Sequence, residues 1–189
     1  MDPINKIFSS AINNCDQYAE SLEIIRKNSL GKIWLIGGTV YRTIVSQLYG
    51  TQKPETDLDF IVEKPVEKFD LPFGWYVREN RFGNAKFING AKQIDYVPLK
   101  TIFSICQRNI EPSIENYLSG VPINVQAMAY DVDTEKIIGD VGIEALLQGV
   151  VAVNNLYFAE YAANKKGKPV NAMIQEKADS LGFKPIFPN

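Results

Sequence analysis

Apolar residues recur along this chain with two periods, and the change from one to the other marks its elements. Ile4, Ile7, Phe8, Ala11 and Ile12 share one helical face, and Tyr18, Leu22 and Ile25 continue a second. The start therefore reads as a packing helix pair, closed by the basic turn and glycine of Lys27 to Gly31. Ile33-Trp34-Leu35-Ile36 is a continuous apolar run, as in a strand buried on both faces. Val40, Ile44, Val45 and Leu48 return to helical spacing and stop at Gly50. After a polar loop from Gly50 to Thr56, Asp57-Leu58-Asp59 opens a second apolar strand, Phe60-Ile61-Val62. Prolines and glycines from 64 to 83 mark turns around a short strand at Trp75-Tyr76-Val77.

Two strands follow, Ala85 to Ile88 and Lys92 to Leu99, joined by the hairpin signal Asn89-Gly90. On the second of them Ile94, Tyr96 and Pro98 face one way, and Asp95, Val97 and Leu99 the other. Val125, Ala127 and Ala129 alternate with more polar neighbours and predict a half-buried strand. Gly142 to Leu146 predicts a helix, Asn155 an N-cap, Gly167 a stop, and Pro169 to Leu181 a final helix. The expected organisation is a domain over residues 1–153 with a helical appendage over 154–189.

Composition narrows the chemistry. The 189 residues contain no histidine, which excludes Ser-His-Asp and Cys-His catalysis and every His-ligated metal site. Two cysteines, Cys15 and Cys106, suit neither a zinc cluster nor a disulfide framework. A net charge of −2 argues against a broad nucleic-acid footprint, although Lys165, Lys166 and Lys168 form a local basic cluster. No apolar run is long enough to span a bilayer, and the N-terminus lacks a signal-peptide pattern, so the expected compartment is the cytoplasm.

The candidate chemistry lies between Ile33 and Glu63. Residues two apart on a strand project together, so Asp57 and Asp59 would share a face. Two such charges held close on a buried sheet are costly unless a cation compensates them, and carboxylate oxygens suit Mg²⁺. Gly37-Gly38, opening a helix, is a ready phosphate cradle. The hydroxyl of Thr39 would meet a phosphate or cap the helix; Arg42, in its first turn, would meet a phosphate or a carboxylate. Asp95, an acid on an otherwise apolar strand, is either functional or an edge residue bonded to Lys92 or Lys100.

The ordered set of strand, double glycine, helix, DxD and strand resembles the polymerase-β-like nucleotidyltransferase superfamily. It is most similar to the head domain of class II tRNA nucleotidyltransferases and poly(A) polymerases. The resemblance covers roughly residues 32 to 153. In that family the glycine motif runs Gly-Gly-any-Val-Arg-Asp; here Tyr41 stands at the arginine position and Arg42 at the aspartate. Asp95 to Lys100 is similar to a segment that opens with a third carboxylate and ends in arginine, which places Lys100 at the arginine. Ile123 to Asp131 resembles the family's Phe-Thr-Ile-Asn-Ala-Leu-Ala-Tyr-Asp passage, with Gln126 at an asparagine. Gly120-Val121-Pro122 departs from the Arg-Arg-Asp that precedes it.

The resemblance implies an α/β fold with a mixed, antiparallel-containing sheet flanked by helices. It implies transfer of a nucleoside monophosphate from an NTP to a hydroxyl. Asp57, Asp59 and Asp95 would hold two Mg²⁺ ions, with Gly37, Gly38, Thr39, Arg42 and Lys100 on the phosphates. The acceptor stays open between an RNA end, a small molecule and a protein hydroxyl. The alternative is a nucleotide-binding module or partner subunit without catalysis.

Overall fold

The N-terminal apolar stripes build two helices, α1 (Pro3–Asn13) and α2 (Asp16–Lys27), in a computed structural model that describes residues 3–51, 57–80 and 83–188. Residues 52–56 of the polar loop lie outside that description. The chain leaves α2 sooner than its glycine suggests. Asn28 caps the helix, its side-chain amide donating to the Ile24 and Asp70 carbonyls, and β1 (Ser29–Ile36) starts at the next residue. Gly31 is thus no helix stop. It lies where the β1 register slips between Leu30 and Ile33, a bulge that its positive φ accommodates.

After α3 (Gly38–Tyr49) come β2 (Leu58–Pro65), β3 (Tyr76–Glu79), β4 (Ala85–Asn89) and β5 (Lys92–Pro98). Two short helices follow, α4 (Phe103–Arg108) and α5 (Ile114–Leu118). Strands β6 (Ala129–Asp131) and β7 (Lys136–Ile138) complete a seven-stranded sheet of order β3-β4-β5-β2-β1-β6-β7. β2 and β5 are parallel and every other pair in it is antiparallel. This is the mixed sheet with flanking helices that the sequence implies.

The strand predicted through Val125, Ala127 and Ala129 is shorter. Asn124–Gln126 forms a 3₁₀ turn, because Asn124 is committed elsewhere: its Oδ1 accepts from the Ala152 amide at 2.9 Å. Met128 and Tyr130 are buried as fully as Val125 and Ala129, so the apparent alternation carries no exposed face. The chain ends in α6 (Asp140–Gln148), β8 (Val150–Val151), α7 (Leu156–Lys165), α8 (Val170–Leu181) and β9 (Lys184–Pro185), with β9 parallel to β8. Asn155 caps α7 by accepting from the Phe158 amide.

The two sheet faces are buried unequally. Leu35, Phe60, Val62, Phe87, Ile94 and Tyr96 face a large core shared with α1, α2, α3, α7 and α8. Trp34, Ile61 and Leu99 meet a smaller cluster under α4 and α5, formed by Ile102, Ile105, Ile114 and Leu118. This second face carries the acids. No helix among the described residues is long and apolar enough to cross a membrane.

Candidate active site

Pairing across four strands sets the site. Ile36 on β1 lies opposite Asp59 on β2, Asp59 beside Asp95 on β5, and Asp95 opposite Lys86 on β4. Residues paired this way project to the same side, with neighbouring strands about 4.8 Å apart. Two carboxylates and an ammonium thus stand in one row on the thinly covered face. Asp95 and Val97 line the same cavity, as their alternation predicts, whereas Leu99 lies past the end of β5 in a 3₁₀ turn.

Lys86 was not anticipated, and among the described residues it is the cation paired with these acids. Its Nζ lies 3.0 Å from Asp95 Oδ2 and 3.6 Å from Asp57 Oδ2, and it donates to Gln93 Oε1 at 3.1 Å. The partner of Asp95 is therefore Lys86, not Lys92 or Lys100. Lys92 pairs with Glu20, and Lys100 is exposed on the turn after β5. Asp57 is 57% exposed at the rim, against 16% for Asp95. Burial first, then the charges of Asp95 and Asp57, push the Asp59 carboxyl up to about 7, with Lys86 acting in the opposite direction. Burial alone would depress the Lys86 ammonium, but its bonds and charges with Asp95 and Asp57 outweigh that and raise it.

Gly37 is required by two separate facts. Its φ of +76° and ψ of −152° lie where side chains are strained, and a Cβ there would sit 2.6 Å from Asp59 Oδ2. The glycine lets the acid approach the N-terminus of α3. Thr39 is buried, and its hydroxyl donates to the Asp57 carbonyl at 3.0 Å, tying the glycine turn to the start of β2. Gly38 is the first residue of α3.

A cavity of about 750 Å³ opens above the row, within the range of small-molecule sites. Asp59, Asp95 and Lys86 meet Ile61, Val97, Phe103 and Tyr117 in its lining. Asn80 donates to Asp95 Oδ1 at 3.5 Å, and Thr101 to Asn84 Oδ1 at 2.7 Å. Burial and then the Asp59 charge raise the Tyr117 phenol. Sharing Ile102, Phe103 and Tyr117 with it, a cavity of about 260 Å³ runs over Gly37 between Phe158 and Tyr161. Sharing Pro122, Gln126 and Ala162 with that one, a third of about 420 Å³ holds Arg42, Lys166 and Lys177. Arg42 is therefore not beside the aspartates but at the far end of the same groove. Glu176, also there, pairs with Lys168. Gln126 stands where the last two cavities meet.

Gly120, at the departure from Arg-Arg-Asp, has no room for a side chain: a Cβ would lie 2.6 Å from Ser104 Oγ and 2.7 Å from Arg108 Nη2. Arg108 fills that space, but its donors go to the Ser104 and Asn116 carbonyls and Ser119 Oγ.

No family model matches the sequence, and no curated protein matches it significantly. Solved structures do. The fold is that of the nucleotidyltransferase head. The CCA-adding enzyme of Bacillus stearothermophilus in complex with CTP superposes with a TM-score of 0.55 at 16% identity, covering 98% of this chain and 42% of that one. A tRNA-processing enzyme with CTP gives 0.55 at 18%, covering 82% and 40%. A CCA-adding enzyme with ATP gives 0.53 at 20%, covering 98% and 40%. The chain spans about two fifths of the length of these structures.

Proposed function

We propose that the chain is a metal-dependent nucleotidyltransferase that moves a nucleoside monophosphate from an NTP to a hydroxyl acceptor. The observation that carries this reading is the in-register pair Asp59 and Asp95 at the floor of a groove that passes a helix N-terminus and ends among cations. The all-oxygen donors of Asp57 and Asp59 fit Mg²⁺, and the Asp59 carboxyl, raised first by burial and then by Asp95 and Asp57, is one that a bound cation would relieve. Such an ion, when bound, would polarise the α-phosphate and lower the acceptor hydroxyl's pKa.

The chain's own residues do the rest. Gly37 leaves the α3 amide end open to the triphosphate. Arg42, Lys166 and Lys177 neutralise the phosphates that leave as pyrophosphate. The acceptor oxygen attacks the α-phosphorus, the α–β bridging P–O bond breaks, and Asp95 receives the hydroxyl proton. Solved relatives of this fold hold CTP and ATP, which supports an NTP as the donor.

Calorimetric titration of ATP, CTP, GTP and UTP in Mg²⁺ tests this. Binding to the wild type that is lost in an Asp57→Asn/Asp59→Asn double variant is expected, and no binding to the wild type would overturn it. An Arg42→Gln/Lys177→Gln variant should bind NTP about tenfold more weakly, as loss of charge-assisted bonds predicts, with its NMP affinity unchanged. A second reading, a nucleotide-binding module without catalysis, is favoured by Gly120-Val121-Pro122 and by the full commitment of Arg108. Metal-dependent binding without pyrophosphate release under any acceptor would select it.

A further inference from the structure

Two carboxylates, Asp57 and Asp95, meet one ammonium beside Asp59, and the ammonium's place is fixed by the sheet. Lys86 lies opposite Asp95 because of the β4–β5 register, whatever its side-chain torsions. Its ammonium is within bonding distance of Asp95 Oδ2 at 3.0 Å and donates to Gln93 Oε1 at 3.1 Å, and it forms a longer ion pair with Asp57 Oδ2 at 3.6 Å. Two-ion sites need their cations about 4 Å apart, bridged by shared carboxylates. Here the gap between Asp57 and Asp95 is spanned by Nζ instead.

We propose that Lys86 is a resident counter-ion standing in for a second divalent cation, so that the chain takes one ion, at Asp57 and Asp59, and not two. The inference rests on the metal-site reading above and replaces its expected pair of ions. Charge supports it: among the described residues, the three carboxylates would be balanced by this ammonium and one divalent cation. Asp95, held by Lys86 and Asn80, is thereby withdrawn from metal ligation while it still lines the cavity.

The test is titration of the full chain with Mn²⁺ alone, counting bound ions from the loss of the free-ion paramagnetic resonance signal. Wild type and Lys86→Arg should take up one Mn²⁺ per chain, and Lys86→Met two. Asp95→Asn should keep the count at one with less than a threefold change in affinity, and this variant decides the matter if Lys86→Met fails to fold. Two ions in the wild type, one in a folded Lys86→Met, or a tenfold loss of affinity in Asp95→Asn would each overturn the inference. No uptake by the wild type would instead remove the metal-site reading itself, a different result from two ions.

Discussion

Asp59→Asn is expected to abolish nucleotidyl transfer, by on the order of 10³-fold, and at the same time to make the protein more stable at pH 8. Both effects have one cause. The carboxyl is held up near 7 by burial and by Asp95 and Asp57, whereas in the unfolded chain it titrates at about 4. The native state therefore binds more protons than the unfolded state between about pH 4 and pH 7. Stability falls as pH rises through that window. Below it the acid is neutral in both states and costs nothing; above it the native state carries the whole penalty, on the order of 2–4 kcal/mol. Asparagine never ionises, so its advantage should be absent near pH 4 and complete at pH 8, a rise of roughly 5–10 °C in melting temperature. Thermal melts of both proteins at pH 4.5 and pH 8 check this. A gain equal at both values, or a loss, would refute the electrostatic account. Saturating Mg²⁺ should raise the melting temperature of the wild type far more than that of the variant, because the ion relieves the penalty only where a charge exists.

Gly37→Ala should damage the site and the fold together. Its backbone conformation is one that glycine alone adopts freely, a strain of about 1–3 kcal/mol for any other residue. The added methyl would also stand 2.6 Å from Asp59 Oδ2, so that the carboxylate must turn from its present position. Metal-dependent nucleotide binding should weaken by about tenfold or more, with a clear fall in melting temperature. Gly50→Ala supplies the control. That glycine also has positive φ, but a Cβ there meets nothing within 4 Å, so only the backbone cost of about 1 kcal/mol should appear, with nucleotide binding unchanged. Equal binding by Gly37→Ala and wild type would detach the glycine turn from the site.

What the sequence made legible followed from strong local signals. The strand–glycine–helix–DxD order placed Gly37, Asp57 and Asp59, and period-2 reading put Asp95 on the correct face. What it hid depends on pairing. Lys86 meets Asp95 because the hairpin turns on Gly90 and Ala91, with Asn89 opposite Lys92. Had Asn89 and Gly90 formed the turn, every cross-strand partner would move by two and Lys86 would face Gln93. A one-residue choice in a loop thus decides whether the acids have a built-in cation, and residue pattern alone does not fix it. The helices α4 and α5 were invisible for another reason: at six and five residues they are too short for a helical period to register. Gly31 misled because glycine marks a bulge as readily as a helix end.

The unequal burial of the two sheet faces also concerns how the molecule moves. Helices of five or six residues have no stability of their own and persist through the contacts they make. Ile102, Ile105, Ile114 and Leu118 are what fasten α4 and α5, while the opposite face is anchored by a far larger core. Amide protons in α4 and α5 should consequently exchange with solvent well before those of β1, β2 and β5, through excursions that leave the sheet intact. The row of acids rides on the slow-exchanging layer and the outer wall of its cavity on the fast one. For the transferase proposed above, sequence drift in that wall would retune which acceptor is admitted without touching the acids, so acceptor choice and chemistry would be separately evolvable.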